Sequence, residues 1–346
     1  MSYLALRSWG WNYMNIKNKY NYKRPYILPP ERSDNIVQDK FGNGCDHQSK
    51  ETIKISDEIQ LYQCQHCALI FRESNGKDHN PTINYDNYYR NEISSRFNPL
   101  VEFFVKAFRF YRALKVMIIS PRARSILDIG SGRGFMLYFL KKYFGFKEAV
   151  GTQISKPAMD YSRDVLGLEI YGEDLLEHDW QGRHFDVISM WHVLEHVPFP
   201  EQYIVKIGSL LNERGKLIIE VPNYNSWTRP FTKKYWLGLD IKHHISQFTP
   251  ESLKFLLQKH GFSILLVHTF SLEYSTFISA QSIVSWLTGT DRVVFNWLQH
   301  GGYSWQLIPH FLLFIILAPI YLAINLILFF SKKGEVLFIV AAKSSA

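Results

Sequence analysis

The sequence is poor in cysteine. Its 346 residues hold three, Cys45, Cys64 and Cys67, an odd and low number that argues against a secreted disulfide scaffold. Residues 1–20 lack the apolar run of a signal peptide, so the reducing cytoplasm is the expected compartment. Internal repeats and low-complexity tracts are missing too. Residues 1–30 contain no acid, only Arg7, Lys17, Lys19, Lys23 and Arg24, and Leu307–Phe330 contains no charged residue at all. The net charge is +8, yet its surplus is absent from the middle. Nineteen basic and twelve acidic residues precede 125, sixteen of each occupy 125–270, and four and three follow. A nucleic-acid enzyme carries basic charge on its working domain, so no nucleic-acid partner is expected. What is present is globular: 47% hydrophobic and 20% charged residues, enough apolar material for about two domains.

Composition divides the chain into zones. Residues 1–40 form a basic arm rich in aromatics (Trp9, Trp11, Tyr20, Tyr22), broken at Pro29-Pro30. It reads either as a loosely ordered arm or as a membrane-interface anchor. Residues 41–97 hold the cysteines. Cys64-Gln65-His66-Cys67 is a C-x-x-C knuckle, and Cys45-Asp46-His47 begins 19 positions earlier. Zinc takes four sulfur or nitrogen ligands in a tetrahedron. Cys45, His47, Cys64 and Cys67 would fill one structural site, with His66 a bystander. A degenerate, metal-free ribbon is the alternative. Residues 98–124 read as a lead-in helix.

Residues 125–270 alternate strand and helix, the signature of an α/β fold with a parallel sheet. Strands are expected at Ser125–Ile129, Ala149–Ile154, Leu168–Gly172, His184–Trp191, Lys216–Val221 and Ser263–His268. Helices are expected at Phe135–Phe144, Lys156–Leu166, Pro200–Leu211 and Thr249–Gly261, the last with Thr249 as N-cap and Pro250 at its first position. Glu335–Ala342 reads as a further strand.

The first strand runs into Asp128-Ile129-Gly130-Ser131-Gly132-Arg133-Gly134 and then a helix. Glycines here let a ligand approach the backbone, and the helix N-terminus favours an anionic group. A dinucleotide fingerprint is G-x-G-x-x-G, whereas this spacing is G-x-G-x-G. An acid at the strand's end would repel a pyrophosphate but suits the ammonium of an amino-acid ligand. A nicotinamide-dependent oxidoreductase is disfavoured on both counts.

At these residues the chain resembles the class I S-adenosylmethionine-dependent methyltransferases, from about Ser125 to His268 and again from Glu335. The resemblance implies a Rossmann-like doubly wound sheet of seven strands, the last antiparallel. It implies that Asp128, Gly130, Ser131, Gly132 and Gly134 wrap the methionine part of S-adenosyl-L-methionine. Val150-Gly151-Thr152-Gln153-Ile154-Ser155 matches the second-strand motif, with Gln153 where an acid usually grips the ribose. In Glu173-Asp174-Leu175, Asp174 corresponds to the acid at the adenine amino group. His192-Val193-Leu194-Glu195-His196-Val197 resembles the branch containing ubiquinone-type O-methyltransferases. Pro222-Asn223, then His244 before Phe248, resembles methyltransferases of glycan and natural-product clusters, many of which carry a cysteine-knuckle module.

A hydroxyl acceptor needs a general base, or a metal that lowers its pKa. His192, His196 and His244 are the candidate bases. The expected activity is methylation of a hydroxyl on a small or lipid-linked acceptor, glycan- or quinone-like, at the cytoplasmic side of the membrane. A catalytically inactive methyltransferase-like scaffold is the rival.

Leu307–Phe330 is long enough to span a bilayer core of about 30 Å. If residues 271–333 are an insertion between neighbouring strands, both its ends return to one face, and one span cannot do this. Pro319 would then split the run into a re-entrant hairpin, or Leu272–Leu287 would supply a second span; a protein interface is the remaining option. The expected organisation is therefore an arm (1–40), a zinc-ribbon-like module (41–97), a methyltransferase domain (98–270 with 334–346) and a membrane-associating insertion (271–333).

Overall fold

A computed structural model describes residues 47, 49–57, 59–72, 99–300, 305 and 307–344. The arm and Cys45 lie outside the described residues. All described residues belong to one compact unit that begins at Cys45.

In chain order the elements are β1 (Lys50–Lys54), β2 (Gln60–Cys64), β3 (Ile70–Phe71), α1 (Pro99–Ile119), β4 (Ser125–Ile129), α2 (Phe135–Tyr143), β5 (Glu148–Thr152) and α3 (Lys156–Asp160). Next come β6 (Glu169–Tyr171), β7 (Phe185–Trp191), α4 (Pro200–Leu210), β8 (Leu211–Pro222), α5 (Arg229–Thr232), β9 (Ser246–Gln247), α6 (Pro250–Lys259) and β10 (Phe262–His268). Three helices follow, α7 (Ser275–Thr288), α8 (Val293–His300) and α9 (Leu307–Leu328), and β11 (Val336–Lys343) closes the fold.

The main sheet has seven strands in the order β10-β11-β8-β7-β4-β5-β6, with β11 antiparallel to both neighbours. This is the expected doubly wound α/β sheet. Its strands are near-continuous apolar runs because helices cover both faces. Alternate residues serve opposite cores: Leu127, Ile188 and Ile219 face one, Ile126, Val187 and Ile218 the other. Three boundaries moved by five residues or more. The lead-in helix expected through Arg124 ends at Ile119. The helix expected through Leu166 stops being α-helical at Asp160 and continues as a π-turn over Tyr161–Val165. β8 starts five residues before Lys216. At α6 the expected cap is present and doubled: Thr249 Oγ1 accepts from Ser252 N (3.1 Å), and Ser252 Oγ accepts from Thr249 N (3.0 Å), a capping box.

β9 adds to β1, β2 and β3 as a second, four-stranded sheet, pairing Ile70 with Gln247 and Phe71 with Ser246. The cysteine-bearing ribbon is thereby stitched to the segment that carries His244.

The C-terminal insertion corrects the hairpin expectation. α9 is one continuous 22-residue helix with Pro319 inside it. Proline removes one helical hydrogen bond and crowds the preceding turn, but this helix is held on both sides of it. His310 Nε2 meets Thr290 Oγ1 (2.6 Å) and Thr288 Oγ1 (3.1 Å), and Asn325 Nδ2 donates to Ser279 Oγ (3.0 Å). The alternative second span also fails. α7 has 14 residues, about 21 Å at 1.5 Å each, and its serines 275, 279, 282 and 285 are buried in protein.

Candidate active site

The site is built at the carboxyl ends of β4, β5, β7 and β8, where open α/β sheets bind ligands. Asp128 is the penultimate residue of β4. Its carboxylate is buried and accepts a 2.6 Å hydrogen bond from Ser189 Oγ on β7. Burial pushes its pKa up to about 7, although the Ser189 hydrogen bond and the Arg112 and Arg109 guanidinium groups pull the other way. Gly130, Gly132 and Gly134 all have φ between 58° and 72°, backbone that favours glycine. Gly130 also has no room: a Cβ there would lie 2.5 Å from Val193 Cγ2. Ser131 N donates to Thr152 O (2.9 Å) and Gly130 N to Thr152 Oγ1 (3.3 Å). The glycine turn is thus tied to the end of β5, where Gln153 follows.

Gln153 is buried, and its Oε1 accepts from Ser155 N (2.9 Å). Its amide N–H groups and the second lone pair of that oxygen are its means of meeting a ligand. Ile154 is exposed beside it. Asp174 accepts from Leu176 N (2.9 Å) and from the Tyr203 hydroxyl, so it caps the turn after β6 as well as standing at the expected position. The Leu175 side chain is in the core, which leaves its backbone for contact.

His192 lies one residue past β7 with φ 57°, a left-handed conformation rare for a residue with a Cβ. Such strain persists where the surroundings over-determine it. Here His192 N donates to Glu220 O (2.7 Å). Its ring lies between two acids, Nδ1 3.5 Å from Glu195 Oε1 and Nε2 3.3 Å from Glu220 Oε1. The Tyr274 ring is 4.2 Å away. These are ion-pair distances rather than aligned hydrogen bonds. Burial lowers the imidazole pKa, but the two carboxylates outweigh it and raise the value to about 8. Burial pushes Glu195 upward, yet His192 and His196 hold it below the ordinary carboxylate range.

His196 Nδ1 donates to His243 O (3.0 Å) and His244 Nδ1 to Gly238 O (2.9 Å). In each neutral ring the Nε2 lone pair is then available. Burial, then the neighbouring His196, lowers the His244 pKa to about 4. Glu195, His196 and His244 offer donor atoms within 4.8 Å of one another, and both Glu195 carboxylate oxygens are buried without a hydrogen-bond partner. This arrangement could hold a divalent cation.

His47 Nδ1, Cys64 Sγ and Cys67 Sγ also converge within 4.8 Å. Cys67 Sγ is 3.5 Å from His47 Nδ1, and Cys67 N donates to Cys64 Sγ at 3.5 Å. Three donors of the expected set therefore fit zinc chemistry; the fourth, Cys45, is outside the described residues.

Several residues at the site carry no motif. On α1, Arg109, Arg112 and Lys115 recur at helical spacing and turn toward the sheet. Arg109 and Arg112 both pair with Glu273, Arg112 Nε to Oε2 at 2.8 Å. Arg112 Nη2 is buried without a hydrogen-bond partner. Lys115 Nζ lies 3.2 Å from Glu220 Oε2 and, despite burial, helps hold that acid well below the usual carboxylate range. The available signal was an acid, Glu220, inside the apolar run Leu217–Val221, together with basic residues three apart on a helix.

A family model described as a methyltransferase domain matches residues 103–267. A ubiquinone biosynthesis O-methyltransferase of Coxiella burnetii is 26% identical over 112 residues, 31% of this chain and 47% of that protein. One from Nitrosococcus oceani is 33% identical over 110 residues, 30% of this chain and 46% of that protein. The chain thus spans about half the length of the curated relatives it matches. Among solved structures, an S-adenosylmethionine-dependent methyltransferase from Archaeoglobus fulgidus is 21% identical with a TM-score of 0.44, covering 70% of this chain and 99% of that one. An O-methyltransferase of a polyketide multienzyme from Brevibacillus brevis, in complex with S-adenosyl-L-homocysteine, is 17% identical with a TM-score of 0.44, covering 71% and 76%. With the motifs and the match over 103–267, this chain carries a methyltransferase domain.

Proposed function

We propose that this chain transfers a methyl group from S-adenosylmethionine to a hydroxyl of a small or lipid-linked acceptor, glycan- or quinone-like, at the cytoplasmic face of a membrane. The observation that carries the reading is His192, held in strained backbone between Glu195 and Glu220 at the sheet edge that also bears Asp128. When bound, the cofactor supplies a sulfonium-activated methyl group as electrophile. The chain's residues do the rest. Asp128 pairs with the ammonium of the methionine part, and the buried Arg112 Nη2 donates to its carboxylate. The glycine turn from Gly130 to Gly134, with Ser131, closes on the backbone side. Gln153, Ile154, Asp174 and Leu175 border the nucleoside part. His192, in the neutral form that is the minor one below its raised pKa of about 8, takes the proton of the acceptor hydroxyl, and Glu195 and Glu220 stabilise the imidazolium that results. His196 and His244 shape the acceptor side, with Glu195 as the third donor should a cation assist.

The names of the curated relatives support an O-linked acceptor of quinone type, and α9 supports a membrane location: it is long and apolar enough to cross a bilayer by length and composition. We assign structural zinc to His47, Cys64 and Cys67 with Cys45. The organisation is an arm (1–40), a ribbon (41–97), the methyltransferase domain (98–270 with 334–346) and the insertion (271–333).

Calorimetry with S-adenosylmethionine is the first test. Binding supports the enzyme; no binding at millimolar cofactor favours the scaffold, the reading that Gln153 in place of the ribose-gripping acid fits. Given binding, His192→Ala should lower methyl transfer to a catechol-type acceptor by roughly 10²–10⁴-fold while cofactor affinity holds. A chelator that stops turnover without weakening cofactor binding would move the decisive role to Glu195, His196 and His244.

A further inference from the structure

The insertion leaves the sheet from the cofactor edge. β10 ends at His268, opposite Phe338, and β11 begins at Val336, opposite Pro222. Gly334 N donates to Thr269 Oγ1 (3.1 Å), so the two ends of the insertion touch. Its base also lines the candidate site through Glu273 and Tyr274. Between those ends, α9 is the one helix long enough to cross a bilayer among the described residues. A chain that crosses once cannot return, and α7 is too short to bring it back. A transmembrane orientation is therefore excluded by connectivity.

α9 is nevertheless bare on one side. His310, Tyr321 and Asn325 are buried against the body. On the opposite arc, Leu312, Ile315, Ile316, Ile320 and Ile327 are each more than half exposed. An apolar stripe of that length on a soluble surface marks an interaction site. Charge beside the stripe identifies the partner. The segments 223–239 and 305–334 contain no acid and five bases: Arg229, Lys233, Lys234, Lys332 and Lys333. Lys332 and Lys333 directly follow the helix, and the first segment reaches it on its buried side. Trp227 packs on Tyr321 (ring centroids 5.8 Å), Trp227 N donates to Lys333 O (2.9 Å), and α5 packs on α7. Lys233, Lys234, Lys332 and Lys333 are exposed. An apolar stripe edged by lysines and aromatic rings fits the interface of an anionic bilayer. A second copy of the chain would bring like charges together along the same edge.

We propose that α9 lies in the plane of the headgroup region of an anionic leaflet, with its exposed arc in the acyl boundary, so that the cofactor edge of the sheet is held beside the lipid. This deepens the membrane reading given above and rests on it.

The test is flotation of the full chain with vesicles of phosphatidylcholine alone or with phosphatidylglycerol added. Binding should rise at least about tenfold with the anionic lipid. The double variant Lys233→Glu, Lys234→Glu should lose at least about 30-fold in binding to the anionic vesicles, the factor that two surface-proximal basic residues contribute. Leu312→Glu with Ile316→Glu should abolish binding and leave the thermal unfolding curve in place, because both side chains are already exposed. Orientation is read with Asp291→Cys, exposed beside Thr290 where that residue meets His310 near the start of α9, and Ser331→Cys, scored above the labelling of the parent chain. A membrane-impermeant maleimide added outside the vesicles should modify both positions. Protection of one of the two would overturn the in-plane orientation. Equal binding to neutral and anionic vesicles would overturn the charge assignment. Absence of vesicle binding, with a dimer that Leu312→Glu dissociates, would give the face to a second copy. None of these measurements uses turnover, so their failure is distinguishable from failure of the methyltransferase reading, which calorimetry with the cofactor decides.

Discussion

Asp128 is a carboxyl group that burial keeps close to half-ionised at neutral pH. Only its ionised form pairs with an ammonium group, so the sign of the pH effect follows. The free protein's pKa is raised to about 7, and lowering the pH through that value protonates the group before the ligand arrives. Affinity for S-adenosylmethionine should weaken by about tenfold between roughly pH 8 and pH 6, and Asp128→Asn should flatten this dependence while weakening binding by about 1.5–3 kcal/mol, the range for a charge-assisted hydrogen bond. Isothermal titration at several pH values checks both, and an affinity that does not vary over this range would remove Asp128 from the ammonium site. This residue was legible in the sequence because its chemistry depends on local spacing: an acid two positions before a glycine turn. Glu220 was not. Its partners, Lys115 and His192, are distant in sequence, and only the sheet brings them to one carboxylate.

At the scale of elements, the ribbon and the methyltransferase domain share a strand. β9 follows His244 by two residues and pairs with β3, which lies just beyond the Cys64–Cys67 knuckle. Loss of metal from His47, Cys64 and Cys67 should therefore be felt at His244. Cys67→Ser, or chelation, should remove about one zinc per chain by elemental analysis. It should also lower the unfolding temperature by several degrees, the shift that roughly 2 kcal/mol produces in a protein of this size. An unchanged melting temperature in a protein shown to contain no zinc would favour the metal-free ribbon. The knuckle itself was readable from spacing. Its attachment was not, because β9 is two residues long and carries no strand pattern of its own. Pro319 shows the converse failure. A local rule said the helix should break, and contacts to α7 at His310 and Asn325 hold it whole.

Across the whole molecule, one buried acid is among the groups that fasten the insertion to the domain. Glu335 accepts hydrogen bonds from Thr228 Oγ1 (2.6 Å), Trp236 Nε1 (2.9 Å) and Ser279 Oγ (3.1 Å), which brings the post-β8 loop, the segment after α5 and α7 to a single carboxylate. Burial raises its pKa. Glu335→Ala would leave three donors buried and unpaired, a loss of about 3 kcal/mol or more by the usual desolvation penalty. It should appear as a lower urea midpoint; a midpoint shift under about 0.5 kcal/mol would mean that the insertion is held in another way. The sequence by itself determined the strand–helix alternation, the glycine turn, the capped helix α6 and the uncharged run Leu307–Phe330, because each depends on neighbours within a few residues. The tertiary structure alone decided which side of that run is bare, which acids flank His192 and how the ribbon is attached. The reason is that each of these is a pairing of groups far apart in the chain, and their energies exist only after the sheet has formed.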